Sequence, residues 1–164
     1  MADEGRTMEA SNRGALVGEF MTKDVICLSP DEELQTAVNT LMAKHIKGAP
    51  VVNAEGELLG ILTDDDLLVG NSRLHIPTMI SILGEMTAWP PSILKFNHEM
   101  KKAASNTVGG AMSKDVEVLA PGDTLEDAAT KLHEKGISVL PVVENKKVVG
   151  IVTRSDILRC LSGN

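Results

Sequence analysis

The apolar positions of the chain follow the same order twice, the second time about 90 residues after the first. In each copy a short apolar run precedes a Pro, and a pattern with apolar residues at i, i+3 and i+4 follows, which predicts a helix. Two further apolar runs then flank a polar turn, which predicts a hairpin. Each copy closes with Thr or Asp before an apolar pair, which is a helix start signal. The pattern therefore predicts two β-α-β-β-α units of the α/β (α+β) class.

The bounds of these elements can be predicted from the same pattern. In the first unit, strands are predicted at 25–28, 49–52 and 58–62, with a helical turn at 16–21 and helices that begin at Asp31 and Asp64. In the second unit, strands are predicted at 116–119, 138–143 and 148–153, with helices that begin at Asp123 and Asp156. Since sheets this small cannot bury both faces alone, we expect the apolar helix faces of the two units to complete a core.

The units divide the chain into four segments. We expect residues 1–13 to form a disordered polar tail, 14–69 the first repeat, 70–107 a helical linker and 108–164 the second repeat. The linker contains apolar residues at helical spacing and a break at Trp89-Pro90-Pro91. It is either a dimer surface or lid, or an ordinary helical connector.

Composition narrows the class of protein. The 164 residues carry a net charge of −7, which argues against nucleic-acid binding because such proteins usually present a basic face. No apolar run approaches the length of about 18 residues that suggests a membrane span. Cys27 and Cys160 are isolated thiols without metal-ligand spacing. We therefore expect a reduced protein of the cytoplasm that binds neither nucleic acid nor membrane.

The most specific repeated stretch is Gly-Ile-Leu-Thr-Asp-Asp-Asp at 60–66, which returns as Gly-Ile-Val-Thr-Arg-Ser-Asp at 150–156. Each copy predicts a strand that runs directly into a helix N-terminus, where free N–H groups and a partial positive charge suit a phosphate. Each copy also carries an Asp three residues after the Thr, whose carboxylate can accept hydrogen bonds. The alternative is that Thr63 and Thr153 serve only as helix caps.

The double pattern resembles the CBS domain pair, or Bateman module. The resemblance rests on Met21-Thr22-Lys23-Asp24-Val25, on Ala49-Pro50-Val51-Val52, on the Gly-x-x-Thr-x-x-Asp stretch and on the second copies of all three. It implies two repeats packed as a pseudo-twofold pair, and a homodimer shaped as a flat disc with apolar helices at its centre. Members of this family bind AMP, ADP, ATP, S-adenosylmethionine, NAD-type dinucleotides or cyclic dinucleotides, and some bind nothing.

The resemblance also implies that each site combines the Thr-x-x-Asp stretch of one repeat with the strand entry of the other. The favoured adenosine-nucleotide site would comprise Thr22, Val25, Cys27, Ile46, Ile151, Thr153, Arg154, Ser155 and Asp156. The second site would comprise Ser113, Val116, Val118, Ile137, Ile61, Thr63 and Asp66. His45, His133, Lys23 and Lys114 are interpreted as exposed residues outside these sites.

The two sites should differ in charge. Arg154 and Ser155 add a cation and a hydroxyl beside Asp156, which favours a phosphorylated adenosine ligand. Asp64 and Asp65 instead add negative charge beside Asp66. We therefore expect the Asp66 site to be empty, or to hold a ligand that has no nearby phosphate or carries positive charge.

The leading hypothesis is a regulatory signal-transduction module that binds AMP, ADP, ATP, NAD or S-adenosylmethionine and acts on an unknown effector protein. No nucleophile–base set, P-loop or catalytic metal motif is visible, so neither an enzyme nor a catalytic cofactor is expected. One alternative is a ligand-free dimerisation scaffold. Another is a Mg²⁺-dependent nucleotide hydrolase with its metal at Asp64-Asp65-Asp66, although adjacent helical residues do not face one point.

Overall fold

A computed structural model describes residues 14–68 and 107–163. In the first described segment the elements are α1 (Val17–Phe20), α2 (Leu34–Ala43), β1 (Gly48–Val52), β2 (Leu58–Thr63) and α3 (Asp64–Leu68). In the second they are α4 (Val108–Ala111), α5 (Leu125–Glu134), β3 (Val139–Glu144), β4 (Lys147–Thr153) and α6 (Arg154–Ser162). The predicted tail at 1–13 and nearly all of the predicted linker at 70–107 lie outside the described residues.

Each repeat is built around one antiparallel hairpin, β1 with β2 and β3 with β4. Pro50 lies opposite Ile61 and Val51 opposite Gly60. The second hairpin repeats this register with Pro141 opposite Ile151 and Val142 opposite Gly150, and each hairpin has one bulge at the residue that follows. The predicted mixture of helices and strands is confirmed, with two small antiparallel sheets.

The first predicted strand of each repeat is wrong in extent. Residues 25–28 and 116–119 form no named strand, and each segment makes a single parallel bridge, Leu28 with Val51 and Leu119 with Val142. Leu28 N–H donates to the carbonyl of Pro50 at 2.9 Å. The next bond of a parallel ladder would need an N–H group from Pro50, which proline lacks. Pro141 stops the second ladder in the same way, since its carbonyl accepts from Leu119 N–H at 2.9 Å.

Three of the four predicted helix starts are displaced by two or three residues. α2 begins at Leu34 rather than at Asp31, and α5 begins at Leu125 rather than at Asp123. α6 begins two residues before the predicted Asp156, because Thr153 is its N-cap residue. α3 begins at Asp64 as predicted.

The hydrophobic cores do not follow the repeat boundaries of the sequence. Val17 of α1 is buried among the apolar residues of the second repeat, including Leu119, Leu125 and Leu140. Val108 of α4 is likewise buried among those of the first repeat. Backbone bonds fix both exchanges: Val17 N–H donates to the Asp123 carbonyl at 2.8 Å and Val108 N–H to the Glu32 carbonyl at 2.9 Å. Each repeat therefore completes its core with the helical turn that leads into the other.

The residues that follow the two exchanged turns pair with the edge strands of the opposite hairpins. Immediately after α1, Thr22 pairs with Ile151 of β4 through two backbone hydrogen bonds of 2.9 Å. Immediately after α4, Ser113 pairs with Ile61 of β2 through two bonds of the same length. The starts of β2 and β4 also meet, since Leu58 N–H donates to the Lys146 carbonyl at 3.0 Å. These bonds hold the two hairpins in one unit.

Candidate functional site

A cavity of about 230 Å³ lies where the end of β2 meets the segment that follows α4. Eleven residues from both repeats line it: Ile61, Thr63, Asp65, Asp66, Ser113, Asp115, Val116, Glu117, Ile137, Ser138 and Val139. Apolar side chains and a few converging polar groups are typical of small-molecule sites. The cavity is formed only when the two repeats are together, and we call it the Asp66 cavity.

The charge of the Asp66 cavity is negative. Four carboxylates line it, from Asp65, Asp66, Asp115 and Glu117, and its lining includes no Lys or Arg. Lys135 partly offsets one of them through an ion pair with Glu117 at 3.2 Å. Both side chains of that pair are about half exposed, so the pair contributes little. The cavity therefore repels an anionic group and attracts a cationic one.

The Asp66 carboxylate links its own helix cap to the other repeat. Its Oδ2 accepts from Thr63 N–H at 2.8 Å and from Thr63 Oγ1 at 2.7 Å. Its Oδ1 accepts from Ser113 Oγ at 2.6 Å. A carboxylate can accept about four hydrogen bonds, so one acceptor position on Oδ1 is not used by these three donors.

The Asp156 carboxylate makes the equivalent link with one further partner. Its Oδ2 accepts from Thr153 N–H and Thr153 Oγ1, both at 2.8 Å. Its Oδ1 accepts from Thr22 Oγ1 at 2.8 Å and from the Arg159 guanidinium. These four donors match the acceptor capacity of the group. Asp156 is accordingly buried, with 3% of its surface exposed.

Two segments of the chain, residues 17–70 and 108–163, match the family model of the CBS domain, and together they are more than half of the chain. The chain belongs to the CBS domain family. The resemblance inferred from the repeated motifs is therefore confirmed.

Related proteins match nearly the whole of this chain. The CBS domain-containing protein CBSX2 of Arabidopsis thaliana, a chloroplastic protein, is 31% identical over 96% of this chain and 68% of its own length. The uncharacterized protein MJ1426 of Methanocaldococcus jannaschii is 29% identical over 89% of this chain and 90% of its own.

Two solved CBS structures that contain bound ligands superpose on this chain. A structure of CBSX2 with AMP superposes with a TM-score of 0.69 at 27% identity and covers 92% of this chain and 98% of that one. A structure of the CBS domain pair of protein MJ0100, with 5′-methylthioadenosine and S-adenosyl-L-methionine, superposes with a TM-score of 0.62 at 25% identity, covering 88% and 98%. Both structures support the CBS-pair fold of this chain.

The CBS repeats bring most of the predicted second-site residues together. Ile61, Thr63 and Asp66 meet Ser113, Val116 and Ile137 around the Asp66 cavity. Val118 is half-buried beside this lining rather than in it, and its carbonyl accepts from Lys131 Nζ at 2.7 Å. That these residues bind a ligand stays a prediction.

The residues of the predicted favoured site are brought together in part. Hydrogen bonds join Thr22, Ile151, Thr153 and Asp156 into one cluster. The other five lie outside this hydrogen-bonded cluster: Val25 and Ile46 are half-buried, and Cys27, Arg154 and Ser155 are exposed. Ile46 packs against the apolar core of the first CBS repeat. Although Cys27 is exposed as a residue, partial desolvation raises the pKa of its thiol above the ordinary value of 9.0.

A third Thr-x-x-Asp stretch shows what the capping geometry alone provides. Thr124 N–H and Oγ1 donate to Asp127 Oδ2 at 2.9 and 2.7 Å, as in the two site copies. Asp127 is exposed, and these bonds lower the pKa of its carboxyl. Asp66 and Asp156 differ because their second oxygen accepts from the opposite CBS repeat. The helix-cap interpretation is thus correct locally, and the contact between repeats is what sets the two site copies apart.

Several residues around the two carboxylates were missed by the sequence reasoning. Asp115 and Glu117 flank Val116 and line the Asp66 cavity, yet alternation along an extended segment predicts that they point away from it. Because this segment makes only one β-bridge, its side chains need not alternate between two faces as they do in a regular strand. Arg159 lies three residues after Asp156 on one helix. This spacing brings two side chains together, so the sequence did indicate a contact between them.

The proposed metal cluster at Asp64-Asp65-Asp66 does not converge. The Asp66 carboxylate faces Thr63 and Ser113, whereas Asp64 Oδ1 accepts from the adjacent Asp65 N–H at 3.1 Å. Across residues 14–68 and 107–163 no group of three or more His, Cys, Asp or Glu side chains is arranged to hold a metal ion. In the same ranges, no helix combines the length and the hydropathy needed to span a bilayer.

Proposed function

We propose that this CBS pair is a regulatory module that senses an adenosine-containing ligand at the junction of its two repeats and has no catalytic activity of its own. The Asp66 cavity carries the proposal, because a hydroxyl-accepting carboxylate and apolar walls converge there from both repeats. Support comes from CBSX2, a relative of the same fold whose structure contains AMP. The ligand would act by binding one arrangement of the repeats better than another.

The two sites would select different ligands. The Asp66 cavity, with four carboxylates in its lining, would take an adenosine derivative that is neutral or positively charged near the ribose 5′ position. S-adenosylmethionine fits that description, and MJ0100 is a neighbour whose structure contains this ligand. The Asp156 site, with Arg154 exposed at the N-terminus of the nine-residue α6, would take AMP, ADP, ATP or NAD.

Transmission of the signal would involve a second copy of the chain and an effector protein. Leu158 and Leu161 on α6 are 66% and 41% exposed. Large apolar side chains that lie together on one helix are a common feature of interfaces. We propose that α6 packs against a second copy in a homodimer, so that occupancy of Asp156 at the start of α6 would alter the dimer seen by an effector.

A ligand-binding titration with matched variants tests this function. AMP, ATP, NAD and S-adenosylmethionine would be titrated calorimetrically against the wild-type chain and against Asp66→Asn, with Asp65→Asn as the control that removes the same charge but keeps the carboxylate that bridges the repeats. We expect S-adenosylmethionine binding to fall at least tenfold in Asp66→Asn, with a smaller change in Asp65→Asn, while AMP binding is unchanged in both.

Each other outcome points to a different function. Failure of every ligand to bind would contradict the sensor and favour a dimerisation scaffold. Consumption of ATP with Mg²⁺, lost in Asp66→Asn, would indicate a hydrolase instead. Equal loss of both AMP and S-adenosylmethionine binding in Asp66→Asn would show that the two sites are not selective.

A further inference from the structure

The two carboxylates that bridge the repeats differ in one partner. Asp156 Oδ1 accepts from Thr22 Oγ1 and from the Arg159 guanidinium, whereas Asp66 Oδ1 accepts from Ser113 Oγ. The position that corresponds to Arg159, three residues after Asp66, is Val69. A valine side chain has no hydrogen-bond donor. The guanidinium contact is therefore specific to the second copy of the motif.

The guanidinium fills the last acceptor position of the Asp156 carboxylate. With two donors from Thr153, one from Thr22 and one from Arg159, all four acceptor directions are used and the group is 3% exposed. A ribose diol binds a carboxylate by donating hydrogen bonds to it. At Asp156 such a hydroxyl must replace an existing donor.

Arg159 is the donor that can leave at least cost. Thr153 belongs to the same helix cap, and two bonds to Ile151 hold the Thr22 backbone in place, so neither residue can withdraw as a whole. The Arg159 side chain is 53% exposed and lies beside an open cavity of about 420 Å³. Glu19 lines the same cavity and offers a carboxylate to a released guanidinium. Arg159 is thus half exposed in its present position, and Glu19, whose Oε2 accepts from Leu16 N–H at 2.9 Å, is a second acid on the cavity that a released guanidinium would enter.

We propose that Arg159 is a specificity-determining residue of the Asp156 site, whose guanidinium occupies the ribose-accepting oxygen and is displaced when a ligand with a vicinal diol binds. The proposal rests on the proposed function, because it concerns the same adenosine ligand. It adds a competition: the ligand gains the Asp156 carboxylate only after Arg159 turns toward Glu19. The Asp66 site has no such competitor among its described contacts.

The test compares ligands with and without the diol. AMP and 2′,3′-dideoxyadenosine monophosphate would be titrated against an Asp66→Ala parent, in which the Asp156 site alone reports, and against the same chain with Arg159→Met. Loss of the competing donor should raise AMP affinity roughly threefold to tenfold and leave dideoxy-AMP affinity unchanged. Arg159→Lys, which keeps a donor, should return AMP affinity toward that of the parent.

A matched control separates this effect from charge alone. Arg154→Met removes an equal charge from the same helix. It should weaken the binding of both ligands by the same factor, because the role proposed for Arg154, exposed at the N-terminus of α6, is to attract the phosphate that both ligands carry. Circular dichroism and thermal unfolding of each variant show that it is folded, and Arg159→Gln replaces Arg159→Met if the latter is not.

The outcomes distinguish the two claims. Equal or weaker AMP binding in folded Arg159→Met, with AMP binding retained by the parent, overturns the role of Arg159 and leaves the sensor function intact. Absence of AMP binding in the parent and in Arg159→Met overturns the role of Arg159 and the ligand proposed for the Asp156 site. The sensor function itself fails only if S-adenosylmethionine also does not bind the wild-type chain. Binding only after Arg159→Met supports the competition in its strongest form.

Discussion

Gly60 is the position where one added methyl group should separate the two repeats. It is buried in β2, and a Cβ atom there would lie 2.7 Å from the Ser113 carbonyl oxygen and 2.6 Å from Met112 Sδ. The Met112 side chain can rotate away, but the carbonyl belongs to the backbone. Ordinary contact begins at 3.4 Å, so in Gly60→Ala the Ser113 backbone must retreat by about 0.7 Å.

The energetic cost follows from what that retreat breaks. Ser113 and Ile61 exchange two backbone hydrogen bonds of 2.9 Å, and both would be stretched to the limit of a useful bond. Two such bonds contribute roughly 1–3 kcal/mol, and overpacking costs a further 1–3 kcal/mol. The lower entropy of an unfolded chain with Ala offsets about 0.4–1 kcal/mol. We expect a net loss of roughly 2–4 kcal/mol, which lowers Tm by about 4–16 °C for a chain of this size.

Thermal unfolding by circular dichroism measures this loss, with Gly122→Ala as the matched control. A Cβ atom at Gly122 meets nothing within 4 Å, so the control should stay within about 1 kcal/mol of wild type. Gly60→Ala should also weaken the binding of any ligand in the Asp66 cavity, since Ser113 positions the Asp66 carboxylate. A Tm equal to that of Gly122→Ala would refute the reasoning, because it would show that the repeats adjust freely at this contact.

Two further predictions concern a thiol and a helix face. Desolvation raises the pKa of the Cys27 thiol, so in a Cys160→Ser background its alkylation at pH 8 should be slower than in the urea-unfolded chain. The alkylation rate of the folded chain should reach half its maximum above pH 9. Equal rates in the folded and unfolded chains would contradict the raised pKa. If α6 forms the dimer centre, Leu158→Glu should weaken the dimer at least about tenfold in sedimentation velocity, whereas Leu59→Glu, at another exposed leucine, should leave it intact.

The local elements were predictable because they depend on neighbours in sequence. The apolar spacing of 34–42 predicts the buried face of α2, where Leu34, Ala37 and Leu41 lie in the core. The hairpin strands lie within a residue of their predicted bounds, since Val-Val and Gly-Ile runs are flanked by polar turns. The first strands were overpredicted because their partner is distant in sequence: a proline in that partner, Pro50 or Pro141, removes the N–H group that the ladder needs.

The candidate sites were predictable only as far as the motif repeats. Thr63 and Asp66 were identified because the same spacing recurs at Thr153 and Asp156. Asp115 and Glu117 were missed because their place in the cavity depends on how the two repeats pack. Arg159 was missed although its position three residues after Asp156 on one helix indicated the contact. The acidic Asp66 cavity was expected from Asp64 and Asp65, but its lining includes Asp65 rather than Asp64 and adds two acids of the other repeat.

The sequence by itself determined the duplication, the helices and hairpin strands, the family, and the helix cap that each Thr-x-x-Asp stretch forms. These properties depend on residue type and on spacings of a few positions along the chain. The resemblance grouped Thr22 with Asp156 and Ser113 with Asp66, but only the tertiary structure decided that these hydroxyls donate directly to the two carboxylates. It alone also decided that α1 and α4 are exchanged between the cores and that Arg159 donates to Asp156. The physical reason is that hydrogen bonds and charges act through space, so their partners are set by packing between segments far apart in the chain.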